Sequence, residues 1–550
     1  MLKIIPLGGL GEIGLNMMVV EYEDHAFIID AGLMFPEDDM LGIDIVIPDM
    51  EYVFQNIEKI AGVVITHAHE DHIGALPYLL KKCDLPIYGT PFTLGVIQRK
   101  LEEHGIQDTR LITIHAGQHV DMGPFQIDFI RVSHSTIDGV GLAIHTPVGI
   151  VIHTGDFKIN LTARDGMLTD VNAFALYGQQ GVLALLSDST NVEKEGYTIS
   201  DEAVGATLSS LIHASKGRVI VALFASNVAR IQQIVDIANA TGRHVIFNGR
   251  SIEMTVDIAR ELGFIEMSDG MEVDIREIQH LPDNKVILIT TGSQGEPMSA
   301  LARMASGTHK QIKIRDADTV ILSSKFIPGN EKAISNIIND LYRQGADVIY
   351  EKIADIHVSG HAFQEELKLM LNLTQPQFFI PIHGEYRHLI HHARLAEHTG
   401  IAKDRILVAE NGSIICFDKS GGQILDTIAT GRILIDGKGV GDVGNSVLKE
   451  RRSLSEDGLV IVTMVLEEET GVVVYGPEIY SRGFVFWTET GHLVDDAQCV
   501  ILEIVEEVGP DTPDRLTIIR NRLQKALKQY FNFTIQRRPV IVPIILELKF

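Results

Sequence analysis

The sequence predicts an α/β fold built on parallel sheet, with a small α+β unit at its C-terminal end. Three observations predict it. From Val219 to Tyr342, β-rich apolar runs (Val219 to Phe224, Lys285 to Thr291, Thr319 to Ser323) alternate with helical patterns (Val228 to Ala240, Ile252 to Leu262, Lys332 to Tyr342). That alternation is the mark of a parallel sheet covered by helices. On both sides of this region, apolar runs end in histidine, aspartate or small polar residues, and ligands in open α/β sheets bind at the carboxyl ends of strands. Past Leu454 to Gly458, which reads as a linker, the pattern restarts with strands (Leu459 to Leu466, Val472 to Tyr475), helices (Asp495 to Val508, Leu516 to Tyr530) and a closing strand, Val540 to Leu548.

In chain order, Leu2 to Leu7 is strand-like and runs into Gly8-Gly9-Leu10-Gly11-Glu12-Ile13-Gly14. That loop lacks the Lys-Ser/Thr of a phosphate-binding loop and precedes another strand, Asn16 to Tyr22, so it reads as a tight backbone turn. Ala26 to Asp30 is a third strand, with Asp30 placed to orient groups beside it. A loop, Phe35 to Pro48, and a helix, Glu51 to Ile60, lead to a buried strand, Gly62 to Ile65. Helices follow over Ile73 to Leu80 and Thr90 to His104. Then come strands over Ile127 to Val132, Leu142 to His145, Ile150 to His153 and Leu183 to Leu186. Small polar loops close the strands of the middle region: Ala225-Ser226-Asn227, Gly292 to Pro297 and Ile327 to Glu331. After His357-Val358-Ser359-Gly360-His361 a helix runs to Leu373, and the strand Phe378 to Ile382 ends in His383-Gly384-Glu385. Asp418 to Gly422 is a turn-rich break.

The bulk properties bound the function. A chain of 550 residues has room for about 3 to 4 domain-sized units. No apolar stretch approaches the ~18 residues of a membrane span, and the start lacks a secretory pattern, so a cytoplasmic location and no membrane partner are expected. Three scattered cysteines, Cys83, Cys416 and Cys499, suggest neither a disulfide framework nor a thiolate metal site. A net charge of −26 argues against a nucleic-acid coat protein. It leaves room for an enzyme whose metals and local basic groups attract phosphate. The 22 histidines are roughly twice the average share.

The chemistry concentrates in Val63-Val64-Ile65-Thr66-His67-Ala68-His69-Glu70-Asp71-His72-Ile73-Gly74. An apolar run ends in three histidines and an aspartate, on what reads as the turn between a strand and a helix. Imidazole and carboxylate at this spacing are zinc or manganese ligands. Further ligand types stand at other strand ends: His134, Asp156 and His383. The seven suffice for two ions. His67, His69 and His134 would hold one, and Asp71, His72 and His383 the other, with Asp156 bridging. Such ions lower the pKa of a bound water to roughly 7. Because His383 lies more than two hundred positions beyond Asp156, the chain must leave the site and return to it.

The His-Ala-His-Glu-Asp-His run resembles the signature of the metallo-β-lactamase fold. Ser187-Asp188-Ser189-Thr190, His357 to His361 and Pro381-Ile382-His383-Gly384-Glu385 resemble the three additional motifs of the β-CASP nucleases. The glycine loop at Gly8, Phe35-Pro36-Glu37-Asp38, His153 to Lys158 and Gly292 to Pro297 resemble the bacterial ribonuclease J family. The likeness runs from near Met1 to Arg537-Arg538-Pro539, and is most specific in the first ~430 residues. One departure is Ser323-Ser324-Lys325-Phe326-Ile327-Pro328, where smaller residues are expected.

The resemblance implies an αββα metallo-β-lactamase domain over residues 1–200 and 350–450. It places an inserted β-CASP α/β domain at 201–349 and a C-terminal oligomerisation domain at 451–550. It implies a ribonuclease that degrades RNA from a 5′-monophosphate end and also cuts internally, in ribosomal RNA processing and messenger RNA decay. The expected partners are single-stranded RNA, a second copy or three further copies of the chain, and members of an RNA-decay complex. Asp71, His72, Asp188 and His361 become catalytic. Ser226, Asn227, Val228, His357, Val358, Ser359, Gly360 and His361 become substrate-binding, several of them as anion donors at helix N-termini. Gly42, Asp44 and Asp436 become ligands of a structural calcium. All seven metal-ligand positions are retained, the pattern of an active member.

Other readings stand beside this one. A thioesterase or lactamase on the same fold has no need of an inserted domain of ~150 residues. A β-CASP nuclease acting on DNA is separated by activity on matched RNA and DNA strands. A scaffold subunit with a vestigial site is opposed by the intact ligands, and metal content decides it.

Overall fold

The computed structural model describes residues 1–160, 168–294, 296, 298–324, 330–485 and 492–549. Parts of the Gly292 to Pro297 and Ile327 to Glu331 loops, and most of the departure after Ser324, lie outside the described residues. The chain forms two compact units, Met1–Phe35 with Ile45–Ile433, and Pro36–Asp44 with Leu434–Phe550.

In the first unit two sheets face one another. The larger runs, edge to edge, through Gly421–Thr427, Ser413–Asp418, Leu2–Gly8, Met17–Tyr22, His25–Ile29, Ile60–Val64, Ile87–Gly89 and Leu111–Thr113. The smaller runs through Phe378–Ile382, Val182–Asp188, Gly149–His153, Val140–Thr146, Phe125–Arg131 and His119–Met122. Between them Leu2, Ile4, Phe27, Ile29 and Val64 meet Ile127, Phe129, Leu142, Leu186 and Ile380 in one buried cluster. Outside the smaller sheet, Phe174, Met370, Leu371, Leu395 and Ala396 from three helices pack on Ile152, Leu185 and Phe379. Outside the larger, helix Pro91–Glu103 lies along Ile87–Gly89 and Leu111–Thr113. This is the αββα sandwich. Strand Val182–Asp188 is buried at every position because both its faces are covered, which is why it reads as an unbroken apolar run.

The middle region forms its own five-stranded sheet, in the order His244–Asn248, Val286–Thr290, Val219–Ala222, Thr319–Leu322, Asp347–Ile349. Every pairing in it is parallel, as the alternation predicts. Strand Phe378–Ile382 then rejoins the sandwich beside Val182–Asp188, so the chain does leave and return.

Several local readings are corrected. The ligand loop is shorter than expected: Glu70–Ile73 is already helical, so Asp71 and His72 project from a helical turn. The helix after His361 begins only at Gln364, with Phe363 as its cap. Ser359 and Gly360 therefore stand ahead of a helix and not at its N-terminus. Leu454 to Gly458 is the end of helix Asn445–Asp457, which buries no residue. A helix without an apolar stripe carries no periodic signal.

In the second unit, strands Val473–Arg482, Leu459–Glu467 and Val540–Leu548 form a sheet. One face (Val460, Val462, Met464, Leu466, Ile541, Ile545) packs on helices Leu493–Glu507 and Arg515–Ile535. The other turns Val542, Ile544, Leu546, Leu548, Tyr475 and Tyr480 outward, all exposed.

Candidate metal centre

The strand Ile60–Val64 delivers the loop Thr66–His69 to the edge of the sandwich, and the backbone is pinned there. The Thr66 N–H donates to Asp30 Oδ1 at 2.8 Å and its hydroxyl to Oδ2 at 2.9 Å. The Asn16 N–H and Nδ2 both donate to the Asp71 carbonyl, at 3.1 and 3.0 Å. Gly32 lies so close that a Cβ there would sit 1.6 Å from the Asp71 carbonyl oxygen. Only glycine permits this approach.

Two groups of side chains converge. His67 Nε2 and His134 Nε2 lie 3.0 and 3.1 Å from His69 Nδ1. Tetrahedral nitrogens about 2.0–2.1 Å from a zinc ion stand roughly 3.3 Å apart, so this triad fits a cation. His383 Nε2 lies 3.4 Å from Asp71 Oδ2, and His72 Nε2 lies 3.6 Å from it. Asp156 Oδ2 joins the groups: it is 3.3 Å from His383 Nε2, 3.4 Å from His72 Nε2, 3.7 Å from His67 Nε2 and 3.8 Å from His134 Nε2. The potential metal-holding groups among the described residues are all here: His67, His69, His134 and Asp156; Asp71, His72, Asp156 and His383; and Asp156, Asp188 and His361. His383 Nε2 is buried without a hydrogen-bond partner, as suits a ligand atom. His383 also adopts φ 54°, a left-handed strain of about 1–3 kcal/mol that clusters at functional sites.

The outer nitrogens fix each ring. His67 Nδ1 lies 3.0 Å from Thr66 Oγ1, His72 Nδ1 2.8 Å from Asp30 Oδ2, His134 Nδ1 2.7 Å from the Gly360 carbonyl and His383 Nδ1 2.9 Å from Thr190 Oγ1. These partners set the tautomer and direct the other nitrogen inward. Burial holds His67, His69 and His134 below the ordinary histidine range, His69 at about 4, so these imidazoles are neutral and free to ligate. At His72 and His383 burial acts the same way but is outweighed by carboxylates, Asp156 foremost, and His383 is raised to about 9. The second group thus attracts positive charge.

Asp188 closes its strand buried. Its Oδ1 accepts from the Thr190 N–H at 2.9 Å and hydroxyl at 2.7 Å, and Oδ2 lies 2.8 Å from His361 Nδ1. Asp188 raises the His361 pKa against burial. With Nδ1 held, Nε2 is the nitrogen left for a substrate.

The expected substrate residues separate. Ser359 Oγ accepts from Asn191 Nδ2 at 2.5 Å and from the His361 N–H at 3.3 Å, which leaves its own proton to donate. Gly360 abuts His134, Ser226 Oγ lies 3.1 Å from His69 Nε2, and Asn227 Oδ1 caps helix Val228–Thr241 by accepting from the Arg230 N–H at 3.1 Å. Val228 and Val358 are buried in the inserted domain's core, and the Val228 N–H donates to the Ser226 carbonyl at 3.0 Å. His357 is half-buried next to Val358. Asn16, Asn191 and Thr190 were not singled out from sequence. Thr190 and Asn191 at least adjoin a motif, but Asn16 has no local signal.

Gly42, Asp44 and Asp436 all fall in the second unit. Asp44 Oδ2 accepts from the Gly437 N–H at 2.7 Å. Asp436 pairs with the Arg451 guanidinium, which also donates to the Leu41 carbonyl at 2.9 Å and lies against Gly42. Calcium takes 6–8 oxygens. Here a guanidinium occupies the neighbourhood, and the residues as placed do not fit that ion.

A two-sheet sandwich with buried His and Asp clusters at its strand ends, interrupted by a second α/β domain, defines a metal-dependent hydrolase of the metallo-β-lactamase class. Family models agree in order along the chain: the metallo-beta-lactamase superfamily at residues 10–180, the ribonuclease J beta-CASP domain at 216–341, the Zn-dependent metallo-hydrolase RNA specificity domain at 345–407, and the ribonuclease J C-terminal domain at 446–548. Ribonuclease J2 of Bacillus subtilis (strain 168) is 41% identical over 547 residues, 99% of this chain and 98% of the relative. Ribonuclease J 1 of Streptococcus pyogenes serotype M3 is 41% identical over 544 residues, 99% and 97% of the two chains. A protein of unknown function from Enterococcus faecalis V583 shares the fold alone, with a TM-score of 0.54 and 15% identity over 75% of this chain and 99% of that one. The chain belongs to the ribonuclease J family. It is a metal-dependent nuclease whose substrate is RNA. No described helix is long and apolar enough to cross a membrane.

Proposed function

We propose that this chain is a two-metal ribonuclease that removes nucleotides from the 5′ end of monophosphorylated RNA and also cuts internally. It would act in ribosomal RNA processing and messenger RNA decay in the cytoplasm. The observation that carries the reading is the place of Asp156, whose Oδ2 lies 3.3–3.8 Å from ligand nitrogens of both groups. Bound there, two zinc or manganese ions would supply an activated water and neutralise charge on the scissile phosphate. His361, held by Asp188, presents a proton on Nε2 to the phosphate or the leaving oxygen. Ser359, its oxygen occupied by Asn191 and His361, donates its hydroxyl proton outward. Asn227, its Oδ1 committed to the helix cap, keeps its Nδ2 for a terminal phosphate.

A closed pocket with few donors suits one phosphate and would exclude the extra bulk and charge of a triphosphate, while a 5′ hydroxyl would leave the donors without their anion at roughly 1–3 kcal/mol per unpaired group. We expect 5′-monophosphate RNA to be degraded about 10- to 100-fold faster than 5′-triphosphate RNA, a ratio equivalent to roughly 1.4–2.8 kcal/mol. Ser359→Ala combined with Asn227→Ala should erase the ratio and spare internal cutting. Single-turnover assays on end-labelled RNA measure it, and equal rates for the two RNAs with the parent enzyme would remove the pocket. Matched DNA strands in the same assay test the choice of nucleic acid.

The domain boundaries 1–200 with 350–450, 201–349 and 451–550 belong to this reading, as does assembly into a dimer or tetramer. The outward row Val542, Ile544, Leu546 and Leu548, exposed on the tail sheet, supports the last point. An apolar sheet face of this size marks an interaction surface. Ile544→Asp with Leu546→Asp should lower the sedimentation coefficient toward that of the monomer and leave RNA cleavage per site within about twofold, since surface changes rarely exceed ~0.5 kcal/mol in the fold. An unchanged oligomer would clear this face of the role.

A further inference from the structure

We infer that Ser226, carried by the inserted domain, is a positioning residue for one of the two metal subsites, so that the affinity of that subsite reports where the inserted domain sits. The inference rests on the reading of His69 as a metal ligand.

The outer nitrogens of the ring ligands divide by domain. Those of His67, His72 and His383 meet Thr66, Asp30 and Thr190, and that of His134 meets Gly360. All of these partners belong to the sandwich or to the segment that returns to it. His69 alone among these rings reaches into the inserted domain: its Nε2 lies 3.1 Å from Ser226 Oγ, against 3.5 Å from Ser135 Oγ. With His69 Nδ1 turned toward His67 and His134 and given to the ion they would share, the neutral ring carries its proton on Nε2. It therefore donates to Ser226, whose own hydroxyl proton stays available to a phosphate.

Two further observations fix Ser226 relative to the ligands. Ala68, the residue before His69, is buried with Ile137 in one cluster with Leu223, Val228, Ile231 and Val358. The ligand loops thus pack directly on the strand end and helix that carry Ser226. On the other side, Lys158, two residues past Asp156, pairs with Asp201 Oδ2 at 2.6 Å, and Asp201 Oδ1 accepts from Arg230 of the same helix at 3.3 Å. Lys158 and Arg230 are both 2% exposed. The helix start is held from both ends of the metal site, and a shift of the inserted domain must move Ser226 against His69. Linkage is reciprocal: an RNA that holds the inserted domain in place tightens this subsite, and the ion in turn holds the domain.

The test uses the full-length chain, zinc and a chromophoric competing chelator, which resolves release of the two ions without reference to RNA cleavage. Ser226→Ala should weaken one ion about 10- to 100-fold, the usual cost of losing such a partner, and leave the other within about twofold, with an unchanged circular dichroism spectrum. Ser226→Thr, which keeps the hydroxyl, should restore the parent affinity, and Ser135→Ala should have the smaller effect. Zinc should also protect the inserted domain from proteolysis more in the parent than in Ser226→Ala. Two unchanged affinities in folded Ser226→Ala, or equal weakening in Ser226→Thr, would overturn the inference while the two-metal reading stands. A parent chain that binds no zinc would overturn both.

Discussion

Asp156→Ala is expected to slow RNA cleavage at least about 1,000-fold, a loss of roughly 4 kcal/mol in barrier lowering, while the chain stays folded. The Asp156 carboxylate lies within 4 Å of ring nitrogens from both ligand groups, and 3.8 Å from His361 Nδ1. On the two-metal reading its removal would take a ligand from each ion at once. The fold should survive because the buried apolar clusters lie between and outside the sheets. The carboxylate is also the foremost group raising His72 and His383. Without it those imidazoles tend toward the neutral form, which a buried site tolerates. Turnover measured with circular dichroism on the same preparation checks the result. A folded variant with more than a tenth of parental activity would contradict the bridging role.

Gly360→Ala should cost about 100-fold in activity with little change in stability elsewhere. A Cβ on residue 360 would stand 2.6 and 2.7 Å from His134 Cε1 and Nδ1, and 2.8 Å from Ser135 Oγ. The ring must move, and it then loses the Gly360 carbonyl that holds Nδ1 at 2.7 Å. Misorienting a ligand ring in this way typically costs 10- to 100-fold in metal affinity or activity. Zinc affinity and turnover should fall together. Loss of turnover with both ions retained at parental affinity would place the effect in the substrate path instead.

Much of the site was readable because its ligands follow buried strands. His67, Asp156 and His383 each stand within a few residues of an apolar run, and a run that ends in a ligand-type side chain is a local signal. The parallel middle sheet was readable for the same reason: its strands and helices alternate with different periods. The network behind the ligands was not readable. Asn191 meets Ser359 across 168 positions and Asn16 meets Asp71 across 55, and neither leaves a trace in its own neighbourhood. Asp30 was legible as an orienting group from its place at a strand end, but its hold on His72 was not. The helix Asn445–Asp457 leaves no periodic signal because it buries nothing. The start of the helix after His361 is not legible, because Phe363, its cap residue, has no side-chain oxygen and so gives no capping signal.

The most direct test of the account is a metal titration of activity. Chain stripped of metal by chelation is supplied with zinc or manganese in steps, and cleavage of single-stranded RNA is followed at each step. The account predicts negligible cleavage without metal and a rise that is complete only at two equivalents per chain. Full activity at one equivalent, or in the stripped chain, would contradict it.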